Sequence, residues 1–160
     1  MEKVSRSETV RILNEVPLFA GLTKRQLTAV AKAVDHVTFE PGKALVKELD
    51  AVQRLLIIRE GTAAVMRRGY VRSEGGTGIE RGTNRRLATL GPGDVVGELS
   101  LIDGKRATAT VLAETPVVAV ALYRTRFNEL LDATPELSRR LLAGLAERIR
   151  TIDQRGDATS

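Results

Sequence analysis

The chain has 160 residues, 42% apolar and 28% charged, enough for one domain with its own core. It has no cysteine and one histidine, His36, which excludes disulfides, thiolate chemistry and a multi-histidine metal centre. The net charge of +5 suits an anionic partner or plain solubility, while 3% aromatic content without tryptophan supplies little stacking surface for single-stranded nucleic acid.

The opening residues lack the apolar run of a signal peptide, and no stretch reaches the ~18 apolar residues of a membrane span. A cytoplasmic protein without a membrane partner is the expectation. Ser5-Arg6-Ser7-Glu8 has capping-box form and is followed by Val10, Ile12 and Leu13, which predicts a first helix. Pro17, within Val16-Pro17-Leu18-Phe19, breaks it and offers Leu18 and Phe19 to a core. A second capping box at Thr23-Lys24-Arg25-Gln26, with Leu27, Val30, Ala31 and Val34 at helical spacing, predicts a second helix.

From His36, which reads as a surface residue at a helix end, the pattern turns to short strands. Residues 54–59 form a strong buried strand, and 63–66, 87–90, 107–112 and 117–122 follow. Pro41-Gly42, Glu60-Gly61, Gly91-Pro92-Gly93 and Glu114-Thr115-Pro116 punctuate them. Such spacing predicts a closed or double-sheet β architecture of jelly-roll type. The glycine- and arginine-rich segment 67–86 reads as a long, mobile, basic hairpin loop.

Residues 126–131 predict a short helix, and Thr134-Pro135-Glu136 opens a last one running to about residue 153, with a frayed polar tail over 154–160. Leu142, Leu145, Ile149 and Ile152 recur along it as a seam of about two heptads. The seam either packs back on the strands or pairs with a second copy of the chain.

The most telling stretch is 96–111: Val-Gly-Glu-Leu-Ser-Leu-Ile-Asp-Gly-Lys-Arg-Ala-Thr-Ala-Thr-Val. It gathers a carboxylate, free backbone N–H groups and a guanidinium into one loop, a set suited to a ligand with both a sugar hydroxyl and a phosphate. It resembles the phosphate-binding cassette of cyclic nucleotide-binding domains, the cAMP and cGMP sensor family. Val16-Pro17-Leu18-Phe19, Glu60-Gly61 and Gly91-Pro92-Gly93-Asp94 fall in family order, and the resemblance covers roughly residues 10–153.

The resemblance implies a mainly β, α+β fold: an eight-stranded β-roll flanked by N- and C-terminal helices. The helices would take residues 1–35 and 123–153, the roll 36–122 and a tail 154–160. It gives Gly97 a close backbone approach to the sugar-phosphate and Glu98 the ribose 2′-hydroxyl, while Leu99 and Ser100 offer N–H groups to the phosphate. Val96, Arg106, Ala107, Thr108 and Ala109 complete the ligand-binding set, and Arg139, Arg140 and Leu141 are the candidates for base or lid contacts. Bland alternatives stand beside these roles: Glu98 as a first-turn acid, Gly97 as a turn residue, Arg106 as a solvated loop residue.

The arginine departs from the family pattern, which places it ten residues after the glycine. Ala107 holds that position here and Arg106 comes one earlier. On a strand, a shift of one residue turns a side chain to the opposite face, so Arg106 is expected to point away from the phosphate. Two escapes exist: a register shift in Asp103-Gly104-Lys105, or a long reach by Arg106 or Lys105. Lys47-Glu48-Leu49-Asp50 also lacks a glycine that the family often has.

The expected function is a regulatory sensor for cAMP or cGMP, cAMP favoured, whose ligand closes the C-terminal helices over the roll. The alternative is a degenerate domain of the same fold, without nucleotide affinity, serving as an interaction or dimerisation module. Nucleic-acid binding through 67–86 is disfavoured by the lack of aromatics. An enzyme is not expected, since no nucleophile–base–orienter set is visible, and neither is a metal or a cofactor other than the ligand. No helix-turn-helix pattern follows the last helix, so the chain reads as a stand-alone sensor or the sensor portion of a longer protein.

Overall fold

N-caps at Ser5 and Thr23 shape the N-terminal helices. The Ser5 hydroxyl accepts the Glu8 N–H at 3.2 Å and opens α1 (Arg6–Asn14). Pro17–Phe19 forms a 3-10 turn that buries Leu18 and Phe19. At Thr23 the box is complete: its hydroxyl accepts the Gln26 N–H at 3.2 Å, and the Gln26 side chain accepts the Thr23 N–H at 2.9 Å. There α2 (Lys24–Ala31) begins. Then follow β1 (Asp35–Phe39), β2 (Ala44–Val46), β3 (Arg54–Glu60), β4 (Ala63–Arg72), β5 (Ile79–Leu90) and β6 (Val95–Val96). The chain continues through α3 (Ser100–Asp103), β7 (Thr110–Ala113), β8 (Val117–Tyr123), α4 (Arg124–Ala133) and α5 (Pro135–Ala158). This computed structural model describes residues 4–72 and 79–158.

The chain divides into two units, one of helices from its two ends (Met1–Val34 and Leu122–Ser160) and one of strands (Asp35–Ala121). In the helical unit, Leu13, Phe19, Val30, Phe127, Leu137 and Leu141 are buried, and the Phe19 and Phe127 rings meet at 6.2 Å. In the strand unit, eight strands form two four-stranded sheets, ordered β1-β8-β3-β6 and β2-β7-β4-β5. The expected eight-stranded roll with flanking helices is therefore present. Leu55, Leu56, Ile57 and Ile58 of β3 are all buried, the mark of a strand covered on both faces. Gly61, at φ 92°, ends β3 where only glycine fits: a Cβ there would stand 2.1 Å from the Pro116 carbonyl oxygen.

Three expectations are corrected. The loop over 67–86 is mostly strand: β4 and β5 pair through it, with Arg67 opposite Arg85 and Arg68 opposite Asn84. Register shifts between Val65 and Met66 and between Arg68 and Tyr70 absorb the irregular spacing, and Gly69 lies within the second. The part of that loop at 73–78 lies outside the described residues. The strand expected over 107–112 begins only at Thr110, because Arg106 joins a lone bridge to Ala51 and the chain between is irregular. The last helix does not end near residue 153, since α5 runs to Ala158. Gln154 and Arg155 are good helix formers, and Arg155 in the last turn complements the helix dipole.

Candidate functional site

The site is built where β6 leaves β3. Leu56 pairs with Val96 and Ile57 with Val95, and the backbone then turns at Gly97 with φ 82°. A Cβ at Gly97 would lie 2.8 Å from the Arg54 carbonyl oxygen and 3.0 Å from a Val52 methyl. Glycine is thus required by packing against the chain entering β3, whether or not a ligand approaches. The bonds that build α3 begin with the Leu101 N–H on the Gly97 carbonyl at 3.1 Å, so the N–H groups of Leu99 and Ser100 stand ahead of its ladder. Gly104, at φ 67°, ends the turn by donating its N–H to the Ser100 carbonyl at 2.9 Å. The Asp103 carboxylate accepts the Lys105 N–H at 2.9 Å and fixes the exit.

A cavity of about 450 Å³ opens beside this turn. Of the expected residues, Val96, Gly97, Leu99, Ser100, Arg106, Ala107, Thr108 and Ala109 all line it, and so does Lys105. Glu98 is half-buried and does not line it. Sequence reasoning missed most of its apolar wall: Val46, Val52, Val65, Leu90 and Val95 come from four strands and the chain before β3 and carry no local motif, while Val111 ends the cassette itself.

Arg106 lines the cavity. Residues 105–109 precede β7 and line it in succession, so the face alternation of a strand does not govern Arg106. Its Nη1 donates to the Leu49 carbonyl at 2.9 Å. Leu49 donates its own N–H to the Ala107 carbonyl at 2.8 Å, and Ala107 donates to the Asp50 carbonyl at 3.0 Å. Leu49 is the one non-glycine residue with positive φ among those described, at 71°, a conformation that costs about 1–2 kcal/mol for a side chain of this kind. The cassette and the loop after β2 therefore clamp each other around a strained residue.

Two further contacts reach β4: from the loop after β2 the Glu48 carboxylate accepts the Arg68 N–H at 3.2 Å, and the Thr108 carbonyl of the cassette accepts from Arg67 Nε at 3.2 Å. Away from the cavity, Arg86 binds the Glu114 carboxylate. That hydrogen bond raises the Arg86 guanidinium above its ordinary value and lowers the Glu114 carboxyl below the usual carboxylate range.

Arg139, Arg140 and Leu141 belong to the helical unit. Leu141 is 5% exposed and packs into the core of that unit. Arg140 lines a groove of about 560 Å³ with Gly21 and Gly144 and lies 4.0 Å from the Glu136 carboxylate, while Arg139 is exposed. Leu142, Ile149 and Ile152 of the seam are also exposed. Among the described residues, no three His, Cys, Asp or Glu side chains converge for a metal, and no helix is long and apolar enough to cross a membrane. His36 is exposed on β1.

Known proteins share the fold of this chain. The family model described as cyclic nucleotide-binding domain matches residues 36–134, more than half of the chain. The Cyclic AMP receptor protein of Thermus thermophilus is 28% identical over 144 residues, covering 90% of this chain and 62% of that protein. The CRP-like cAMP-activated global transcriptional regulator of Mycobacterium tuberculosis is 30% identical over 139 residues, covering 87% and 58%. The chain thus spans about three fifths of the length of these curated relatives. The N-terminal domain of a transcriptional regulator from Streptomyces coelicolor A3(2) matches with a TM-score of 0.73 at 31% identity, covering 90% of this chain and 94% of that one. On the matched roll and its order of elements, the chain belongs to the cyclic nucleotide-binding domain family.

Proposed function

We propose that the chain is a regulatory sensor domain that takes a cyclic nucleotide into the cavity beside α3. The observation that carries this reading is that the Gly97–Ser100 turn and Arg106 line one cavity. The N–H groups of Leu99 and Ser100 and the guanidinium of Arg106 receive the cyclic phosphate. One Arg106 nitrogen rests on the Leu49 carbonyl, a neutral acceptor that orients the guanidinium without cancelling its charge, and its other donors serve the ligand. Glu98, next to the cavity between Gly97 and Leu99, turns its carboxylate to a ribose hydroxyl. The apolar wall, Val52 and Val65 among it, covers the sugar and base.

The names of the two curated relatives favour cAMP over cGMP. The domain binds and regulates rather than catalyses, as its family does. Ligand shifts the population of the C-terminal helices toward a closed arrangement, with contacts from the Arg139–Leu141 region, and the exposed seam of α5 pairs with a second copy. A cytoplasmic location accords with this role.

Isothermal titration with cAMP and with cGMP tests the reading. Micromolar or tighter binding that is lost in Glu98→Ala and weakened in Arg106→Ala is the expected result. No heat with either nucleotide from a folded chain overturns it in favour of an interaction module. That second reading has its own observation: Arg106 is already hydrogen-bonded to the chain's own Leu49 carbonyl.

A further inference from the structure

β4 and β5 outrun the sheet that holds them. β7 pairs with β4 only from Ala63 to Met66. From Arg67 onward β4 pairs with β5 alone, as far as Arg72 opposite Ile79. The result is a two-stranded arm on which Arg67, Arg68, Arg85 and Arg86 are exposed, with Arg72 and Arg81 in the same two strands.

Residues 63–90 carry six arginines against two glutamates, while the rest of the chain has nineteen basic and eighteen acidic residues. The arm therefore holds four of the five net positive charges. Arg86 is neutralised by Glu114, and Arg67 Nε is held by the Thr108 carbonyl. Among the described residues, Arg68 and Arg85 form no ion pair, and Arg85 stands directly opposite Arg67. Like charges across a ladder repel, and an isolated two-stranded ribbon is marginal in water. A fold that keeps such a ribbon with Arg68 and Arg85 outside any ion pair among the described residues leaves it matched to a polyanion.

We propose that this arm binds the phosphate backbone of double-stranded DNA without reading sequence. A major groove about 12 Å wide admits a two-stranded ribbon, which brings arginines on both strands to the flanking phosphates. The deep, narrow major groove of an RNA duplex does not admit it. The chain's 3% aromatic content lacks the stacking surface that single strands use. Residues 73–78, Ser-Glu-Gly-Gly-Thr-Gly, carry no apolar side chain for insertion into a lipid surface.

The test is fluorescence anisotropy of a labelled DNA duplex of arbitrary sequence with the full chain, across a salt series. Arg68→Gln/Arg85→Gln is the variant, and neither residue lines the ligand cavity. The wild type should bind at low salt, with log K falling by about 0.9 per phosphate contact for each unit of log salt. The variant should weaken binding at least about tenfold at low salt and flatten the slope by about 1.8, two contacts' worth. Should the variant fail to fold, protection of wild-type Arg68 and Arg85 from a guanidinium-modifying dicarbonyl by the duplex decides instead. The proposal is overturned by no binding at low salt, by an unchanged slope and affinity in the folded variant, by absent protection, or by binding to phosphatidylserine vesicles with the duplex ignored.

Discussion

Arg106 and Arg85 are both exposed arginines beside a strand unit's edge, and the chain treats them in opposite ways. Around Arg106 the backbone is over-determined: Leu49 and Ala107 exchange hydrogen bonds with their neighbours, and the guanidinium rests on a carbonyl at 2.9 Å. Arg85 faces another arginine across the ladder and has no carboxylate partner among the described residues. A cation fixed by neutral acceptors keeps its charge and gains a direction, as recognition of one small anion requires. A cation beside other cations gains only field strength, which reaches farther but is screened within about 10 Å at 0.1 M salt.

Breaking the first region should have the largest effect. Gly97→Ala drives a Cβ toward the Arg54 carbonyl and forces a side chain to φ 82°, so unfolding in urea should show a loss of roughly 2–3 kcal/mol. An unchanged midpoint would mean that the turn relaxes freely. Arg106→Ala should weaken cyclic-nucleotide binding by about 1.5–3 kcal/mol, roughly one to two decades, with a salt dependence much shallower than that of the arm. If titration shows equal affinity for both proteins, the guanidinium serves only Leu49.

Leu49→Gly sharpens the comparison from the other side. The side chain is 56% exposed, so little burial is lost, and relief of the positive φ should raise stability by up to about 1 kcal/mol. A lower melting temperature would show that the leucine side chain contributes more than its backbone costs. The smallest effect belongs to Glu114. Its carboxyl is lowered in the folded state, so its contribution is present above the ordinary carboxylate range and lost as pH falls through the lowered value. Glu114→Gln should therefore be slightly less stable than wild type at neutral pH, the difference closing in acid. A gap that persists in acid, where the carboxyl is protonated, would assign it to packing.

Much of this was legible along the chain. Ser5 and Thr23 announce their helices because caps are local, and Val96 to Ser100 are recognisable because turn, carboxylate and N–H groups sit within five residues. The arm was not legible, because periodicity is counted in apolar residues. Arg67, Arg68, Arg85 and Arg86 form strands through backbone pairing and register shifts that leave no apolar alternation. The setting of Arg106 was not legible from face alternation, since its segment joins the sheet only at a single bridge. The strain at Leu49 had no signal beyond a missing glycine, and Val52, Val65 and Leu90 meet only once distant strands are assembled.

Gly97 has a consequence for how this domain can diverge. Two demands fall on it, a positive φ and a neighbouring carbonyl too near for any Cβ, and both come from the fold. Selection for folding alone would retain it, even in a lineage that had abandoned its ligand. In a library sorted for folded protein, Gly97 should therefore stay invariant whatever becomes of the ligand. Persistence of this glycine among descendants would record the fold and not the binding of a nucleotide.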